Sequence, residues 1–252
     1  MDAPVMMVHG MCCTGEVWAN FRRHFEAEGV SVYTPTLRPE QRVREQPPPE
    51  LRTLSFDDYV ADLERQARRI EAESGRRPAV IGHSMGGLLA QVLAERGCAS
   101  AAVFISPTPP AGARTLQAAA VWAGIGVANK LGLVPGVIRP HRRSADRVVL
   151  NRVAREQRRA AHEGMVHESG RAFADMGSQR IDESKVRIPV LTVAATQDRL
   201  VPAAFVRRTA RKYESVGGEL REYKQHGHWL YDEPGWDEPA SDILDWFRKH
   251  LR

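Results

Sequence analysis

The stretch Ala79-Val80-Ile81-Gly82-His83-Ser84-Met85-Gly86-Gly87-Leu88-Leu89-Ala90-Gln91 decides the fold. Its first three residues make a short apolar run of the kind a buried strand carries. Beyond Gly86, Leu88, Leu89, Val92 and Leu93 follow a helical pattern. Gly82-x-Ser84-x-Gly86 stands between them, so the spacing predicts strand, sharp turn and helix, with the Ser84 hydroxyl pushed out of the sheet. A Cβ two positions before or after the serine would collide as the chain reverses, which accounts for both glycines. The helix would turn its free N–H groups and positive dipole end toward Ser84, favouring negative charge that develops there. A glycine-rich turn that merely contains a serine is the plainer reading, and the flanking strand and helix argue against it.

Outward from this stretch, short apolar strands alternate with longer amphipathic segments. Val5, Met6, Met7 and Val8 form a first strand that runs into His9-Gly10-Met11. Trp18, Phe21 and Phe25 then recur at helical spacing, and Gly29 closes that helix. Residues 30–33 read as a second strand and 35–49 as a polar, proline-rich loop. Phe56, Tyr59, Val60, Leu63, Ala67 and Ile70 mark one face of a helix with Ser55 as its N-cap. The elbow helix stops near Gly97. Strands follow at 101–105, 190–195 and 220–223, with helices at 205–213 and 243–251. Such alternation predicts an α/β fold, a mostly parallel central sheet with helices on both faces.

The alternation breaks over residues 109–185, which read as mostly helical. The first half is apolar (Leu116, Val121, Trp122, Ile125, Val127, Leu131, Leu133, Val134) and the second is rich in arginine. A segment inserted at the C-terminal edge of a parallel sheet lies above the ligand crevice. The expected organisation is therefore a core of residues 1–108 and 186–252 with a helical lid over 109–185, its apolar side roofing a pocket. The arginines read as the wet face of a helix rather than as anchors for an anionic substrate.

Composition narrows the function classes. A chain of 252 residues, 42 % hydrophobic and 27 % charged, suits one globular domain with a sizeable core. The net charge of +5 comes without an aromatic platform or a nucleic-acid motif, so no nucleic-acid partner is expected. The start Met1-Asp2-Ala3-Pro4 lacks the basic stretch and cleavage site of a signal peptide. Residues 118–128 are too short an apolar run to span a bilayer. Three cysteines, two of them adjacent, make no disulfide framework. A cytoplasmic protein without integral membrane association is expected, its oligomeric state left open. His162-Glu163 with His167 superficially resembles a zinc motif, but a spacing of five turns the histidines to different helix faces. Gly124-Ile125-Gly126 follows no strand. No metal and no cofactor are expected.

A serine hydroxyl attacks only when a base removes its proton, normally a histidine held in one tautomer by a carboxylate. In a strand–elbow–helix architecture the acid and then the histidine follow the serine, each after a strand. The strand at 190–195 leads into Thr196-Gln197-Asp198-Arg199, which makes Asp198 the candidate acid. The strand at 220–223 leads into Lys224-Gln225-His226-Gly227-His228-Trp229, which offers two candidates for the base.

On these residues the chain resembles the α/β-hydrolase-fold enzymes over nearly its whole length. Four signatures carry the resemblance: His9-Gly10 after the first strand, Gly82-His83-Ser84-Met85-Gly86, Asp198 before Val201-Pro202, and Gly227-His228. The early first strand, with Trp18 downstream, is similar to compact members such as plant methylesterases and hydroxynitrile lyases. The resemblance implies a serine hydrolase without a cofactor, acting on a small-molecule acyl substrate: a carboxylic ester, a lactone or a thioester. It assigns the glycine-preceded His228 as base and the backbone N–H groups of Met11 and Met85 as the oxyanion hole. The candidate pocket residues are His9, Gly10, Cys12, His83, Ser106, Trp122 and Trp229. His83 reads as a packing or orienting neighbour rather than a second base, and Cys12 and Cys13 as small buried apolar residues.

Two departures stand out. Ala195 occupies the place where many relatives have glycine three residues before the acid. Pro35-Thr36-Leu37 is followed by Arg38-Pro39 rather than a glycine-rich turn, on a loop that bears on substrate choice. No acid follows the strand at 101–105, where some relatives place theirs, which strengthens Asp198. The serine at the elbow separates the chain from the dehalogenase and epoxide hydrolase branches. Carbon–carbon bond hydrolases, cofactor-free haloperoxidases and hydroxynitrile lyases share the fold and triad, and some relatives are small-molecule receptors. Retention of all three triad members argues against the receptor.

Overall fold

The period-two alternation of the strands decides how the sheet is covered. In β1 (Val5–Val8) Val5 and Met7 belong to one apolar cluster and Met6 and Val8 to another, on opposite faces, and all four are fully buried. A strand buried on both sides needs a layer of helices on each. The computed structural model describes residues 2–113, 127, 128 and 130–251. In chain order its regular elements are β1, α1 (Ala19–Ala27), β2 (Val32–Tyr33), α2 (Phe56–Ser74), β3 (Ala79–His83), α3 (Met85–Glu95) and β4 (Ala102–Ile105). There follow β5 (Val137–Ile138), α4 (Arg158–Glu163), β6 (Glu168–Ser169), α5 (Gly170–Asp175), β7 (Val190–Ala195), α6 (Ala203–Lys212), β8 (Glu219–Tyr223) and α7 (Asp237–His250).

The main sheet has six strands in the order β2-β1-β3-β4-β7-β8, and every pairing is parallel. One face packs against Phe21 and Phe25 of α1 and Ile243, Leu244, Trp246 and Phe247 of α7. The other packs against the apolar stripe of α2 and the leucines of α3. Helix α2 starts in a capping box, in which Ser55 Oγ accepts the Asp58 N–H while the Asp58 carboxylate accepts the Ser55 N–H. Such a cap stabilises a helix by about 1 kcal/mol. No helix among the described residues is long and apolar enough to cross a membrane.

The strand order reverses at the centre. From β1 the chain steps outward to β2, returns to β3 on the opposite side of β1, and continues from there to β8. Loops leaving β1 and β3 thus run to opposite sides and leave a crevice at the carboxyl ends of the two strands. His9-Gly10-Met11 and Ser84 both emerge at that crevice.

One expectation for residues 109–185 needs correction. The segment is not simply helical: Val137 and Ile138 pair antiparallel with Ser169 and Glu168 in a short ribbon. Strands of two residues carry no readable period, and core side chains hold this one in place. Glu168 forms a fully buried bidentate ion pair with Arg42 (3.0 and 2.9 Å) and accepts the Tyr59 hydroxyl at 2.6 Å. Ser169 Oγ donates to Leu54 O at 2.6 Å. Of the apolar first half, Val127, Leu131 and Leu133 are exposed and Val134 is half-buried, while Leu116, Val121 and Ile125 lie outside the described residues. Trp122 lies outside the described residues.

Candidate active site

The elbow forms as its sequence requires. Ser84 sits between β3 and α3 with φ +56° and ψ −117°, a region that costs a non-glycine residue about 1–3 kcal/mol. Hydrogen bonds fix it there: Ser84 N–H donates to Ile105 O, and Ser84 O accepts from the N–H groups of Gly87, Leu88 and Thr108. A Cβ on Gly82 would meet Ala90 Cβ at 2.8 Å, and one on Gly86 would meet His9 O at 2.6 Å. Helix α3 can approach the end of β1 this closely because neither position carries a side chain.

Ser84 opens into a cavity of about 300 Å³. Gly10, Met11, Cys12, Cys13, His83, His228 and Trp229 line it from the core, together with Leu200, Val201 and Phe205. Ile138, Pro140, Val149, Met165, Phe173 and Met176 line it from the segment between β4 and β7. Apart from two imidazoles, every lining side chain among the described residues is apolar or a small thiol or hydroxyl, and none of them is a carboxylate or a cation.

His228 follows β8, and its Nδ1–H donates to Asp198 Oδ2 at 2.7 Å, both side chains buried. Asp198 Oδ1 accepts the N–H groups of Leu200 and Val201, each at 2.8 Å. Burial pushes the Asp198 carboxyl up, but the His228 charge, its hydrogen bond and the two N–H donors outweigh it and hold the group below the usual carboxylate range. Asp198 lies behind the imidazole rather than on the cavity wall. His226 is also buried, but it faces Glu233 across 3.3 Å and does not line the cavity. Among the described residues Ser84 Oγ has no hydrogen-bond partner. Catalytic hydrogen bonds are often long before substrate arrives.

His83 lies against His228 rather than facing Ser84 as a second candidate base. Its Nε2–H donates to His228 O at 2.7 Å, with ring centroids 4.6 Å apart. Burial and the neighbouring His228 keep the His83 ring neutral, well below the usual histidine range. Met85 N–H is among the first four donors of α3, which have no intrahelical acceptor. Among the described residues no acceptor takes it or the Met11 N–H.

Two pocket candidates belong elsewhere. His9 follows β1 but turns inward: Nδ1–H donates to Gly10 O at 2.8 Å and Nε2 accepts the Leu37 N–H at 3.1 Å. Ser106 is fully buried at φ +41° and bonds through its N–H to Val193 O, away from the cavity. Trp122 is not described. Cys12, Gly10, His83 and Trp229 do line the cavity. Burial pushes the Cys12 thiol well up and the Cys13 thiol to about 12, so neither is a thiolate near neutrality.

A family model described as serine aminopeptidase, S33, matches residues 1–235. The chain belongs to that family. This S33 hydrolase also matches solved α/β-hydrolase structures along its whole length. Polyneuridine aldehyde esterase shares 17 % identity over 97 % of this chain and 99 % of its own, with a TM-score of 0.72. The monoacylglycerol lipase of Paleococcus ferrophilus shares 19 % over 98 % and 96 %, with a TM-score of 0.73. A methylesterase from Arabidopsis shares 12 % over 98 % and 99 %, with a TM-score of 0.75. At these identities the likeness is one of fold.

Proposed function

We propose that the chain hydrolyses neutral carboxylic esters with an apolar acyl group, through an acyl-enzyme on Ser84. One observation carries the reading: the Ser84 hydroxyl and the imidazole of His228, backed by Asp198, share an apolar cavity without a lining carboxylate. Ser84 Oγ attacks the acyl carbon while His228 Nε2 takes its proton, and Asp198 holds the Nδ1–H tautomer. The N–H groups of Met85 and Met11 stabilise the oxyanion, each by about 3–4 kcal/mol. The tetrahedral intermediate collapses, His228 returns the proton to the leaving alcohol, and water activated by the same imidazole releases the acid. A lactone or thioester presents the same carbon to the same groups.

Aminopeptidase action, which the family's description names, fits the cavity poorly. Binding a substrate's α-ammonium group away from water requires a carboxylate partner. The lining has none, Asp198 is already committed to His228, Leu200 and Val201, and no acidic residue occurs between Ala101 and Ala145.

The test is turnover of p-nitrophenyl butyrate beside an aminoacyl p-nitroanilide. The expected result is a burst with the ester and none with the anilide. Ser84→Ala lowers kcat by on the order of 10⁴–10⁶, and His228→Ala abolishes acylation while His226→Ala retains it. Wild-type turnover in Ser84→Ala refutes the reading.

A further inference from the structure

We propose that Glu233 is a positioning residue for His228, a buried carboxylate that fixes the loop from which the base projects. The proposal rests on the reading of Ser84, Asp198 and His228 given above. His226, Gly227, His228 and Trp229 are all buried. A buried loop must satisfy its N–H groups from within the protein. Glu233 Oε2 accepts the Gly227 N–H at 2.7 Å and faces His226 Nδ1 at 3.3 Å, while Oε1 accepts the Trp229 N–H at 3.1 Å. These N–H groups flank His228 in the chain, so one carboxylate brackets the base.

The chemistry of the site calls for a carboxylate. Glu233 is 1 % exposed, and among the described residues it makes no ion pair with a lysine or arginine. A buried carboxylate persists only where donors replace its water. An ionised carboxylate accepts at both oxygens, whereas an amide turns N–H toward one of these donors. Glu233 does not line the cavity and acts only through the loop.

The remaining restraints on the base meet this one. His83 Nε2–H holds the His228 carbonyl and Asp198 holds its ring. The Gln197 N–H donates to His226 O at 2.9 Å, which joins the acid loop to the base loop. Without Glu233 the N–H side of His228 loses its anchor. A displacement of about 1 Å at a catalytic group can cost on the order of 10²-fold in rate.

The test uses the full chain with p-nitrophenyl butyrate. For Glu233→Gln, kcat and KM are measured per folded molecule, the folded fraction coming from circular dichroism. The low-field proton resonance of His228 Nδ1–H is recorded in parallel. The expected result is a kcat lowered about 10–100-fold, a KM within roughly twofold because the lining is untouched, and a shifted or broadened resonance. A merely structural role lowers the unfolding midpoint but leaves kcat and the resonance at wild-type values, and that result overturns the proposal. Should Glu233→Gln not fold, Glu233→Asp, which draws both oxygens back by one methylene, is read by the same measurements. Turnover surviving in Ser84→Ala, a separate protein, overturns the reading beneath the proposal and the proposal with it.

Discussion

Acidification from pH 7 to pH 5 should destabilise the protein by about 2 kcal/mol through His9 alone. The His9 ring is fully buried, and its Nε2 already accepts the Leu37 N–H, so only the neutral imidazole fits. Burial, assisted by the Arg42 charge and opposed by the Gly10 carbonyl, lowers its pKa from 6.5 to about 3. The unfolded chain takes up a proton as pH falls through 6.5, while the folded chain resists until about 3. The unfolded state therefore binds more protons across that window, and stability falls with pH. Each unit below the unfolded value costs about 1.36 kcal/mol, which gives about 2 kcal/mol at pH 5. Asp198 is shifted the same way, downward, but its contribution is present above the unfolded carboxylate value of 3.8 and is lost only below it, outside this window. Urea unfolding followed by circular dichroism at pH 7, 6 and 5 makes the comparison, with His9→Gln as the partner. Glutamine offers Oε1 to the Leu37 N–H without a titrating group. The variant starts less stable, yet loses about 2 kcal/mol less than wild type between pH 7 and 5. His83, likewise held neutral in the folded state, makes the same contribution in both proteins and cancels. Equal losses in the two proteins refute the argument.

Two further expectations concern packing. Gly86→Ala forces a Cβ into the carbonyls that end β1, so α3 must withdraw, and kcat for an ester falls on the order of 10²-fold while KM changes little. Kinetics at wild-type values would show that the elbow yields without moving Ser84. Glu168→Gln leaves the fully buried Arg42 guanidinium without its counter-ion and lowers stability by about 3–5 kcal/mol in urea unfolding. Replacing both residues with methionine and leucine should recover much of that loss, and a double variant no better than the single one would contradict the explanation.

What was legible in the sequence is local in character. Gly82-x-Ser84-x-Gly86 constrains five consecutive residues, and the clashes that define the elbow arise among them and the end of β1. Ser55 could be read as a cap because its partner, Asp58, is three residues away. Asp198 and His228 lie 30 residues apart, but each follows a strand, and parallel strands bring their carboxyl ends to one edge. The features that escaped depend on contacts without a sequence period. Arg42 and Glu168 are 126 residues apart, and nothing in either neighbourhood announces that they meet. His9 follows a strand at the crevice as a pocket residue would, yet the Leu37 N–H draws its ring inward. Ile138, Phe173 and Met176 line the cavity, because the ribbon held by Glu168 brings that part of the segment over Ser84. Glu233 left one trace, an acid five residues beyond His228 and next to Asp232, and an exposed turn would look the same.

The arginine-rich half of the segment between β4 and β7 shows why its charge is a poor guide to its partners. Arg158 donates to Val153 O and Asn151 O, each at 2.9 Å, and Arg139 donates to His162 O at 3.3 Å. Arg152 Nε donates to Gln225 O at 2.9 Å, on the loop before the base, and Asn151 Nδ2 donates to Gln197 O at 3.0 Å, beside the acid. Arg199 returns the contact from the acid loop to Arg147 O at 3.1 Å. A segment with little regular structure leaves many carbonyls without ladder partners, and the guanidinium fork offers five donors to satisfy them. These cations are spent on the protein's own backbone, and none of them lines the cavity. The same bonds fasten the roof to the two loops that carry Asp198 and His228. If the chain hydrolyses esters as proposed, a bulky acyl group that displaces this segment would pull on the loops carrying Asp198 and His228. Then kcat as well as KM should change across p-nitrophenyl esters of increasing acyl size, and a kcat constant across the series would refute the coupling.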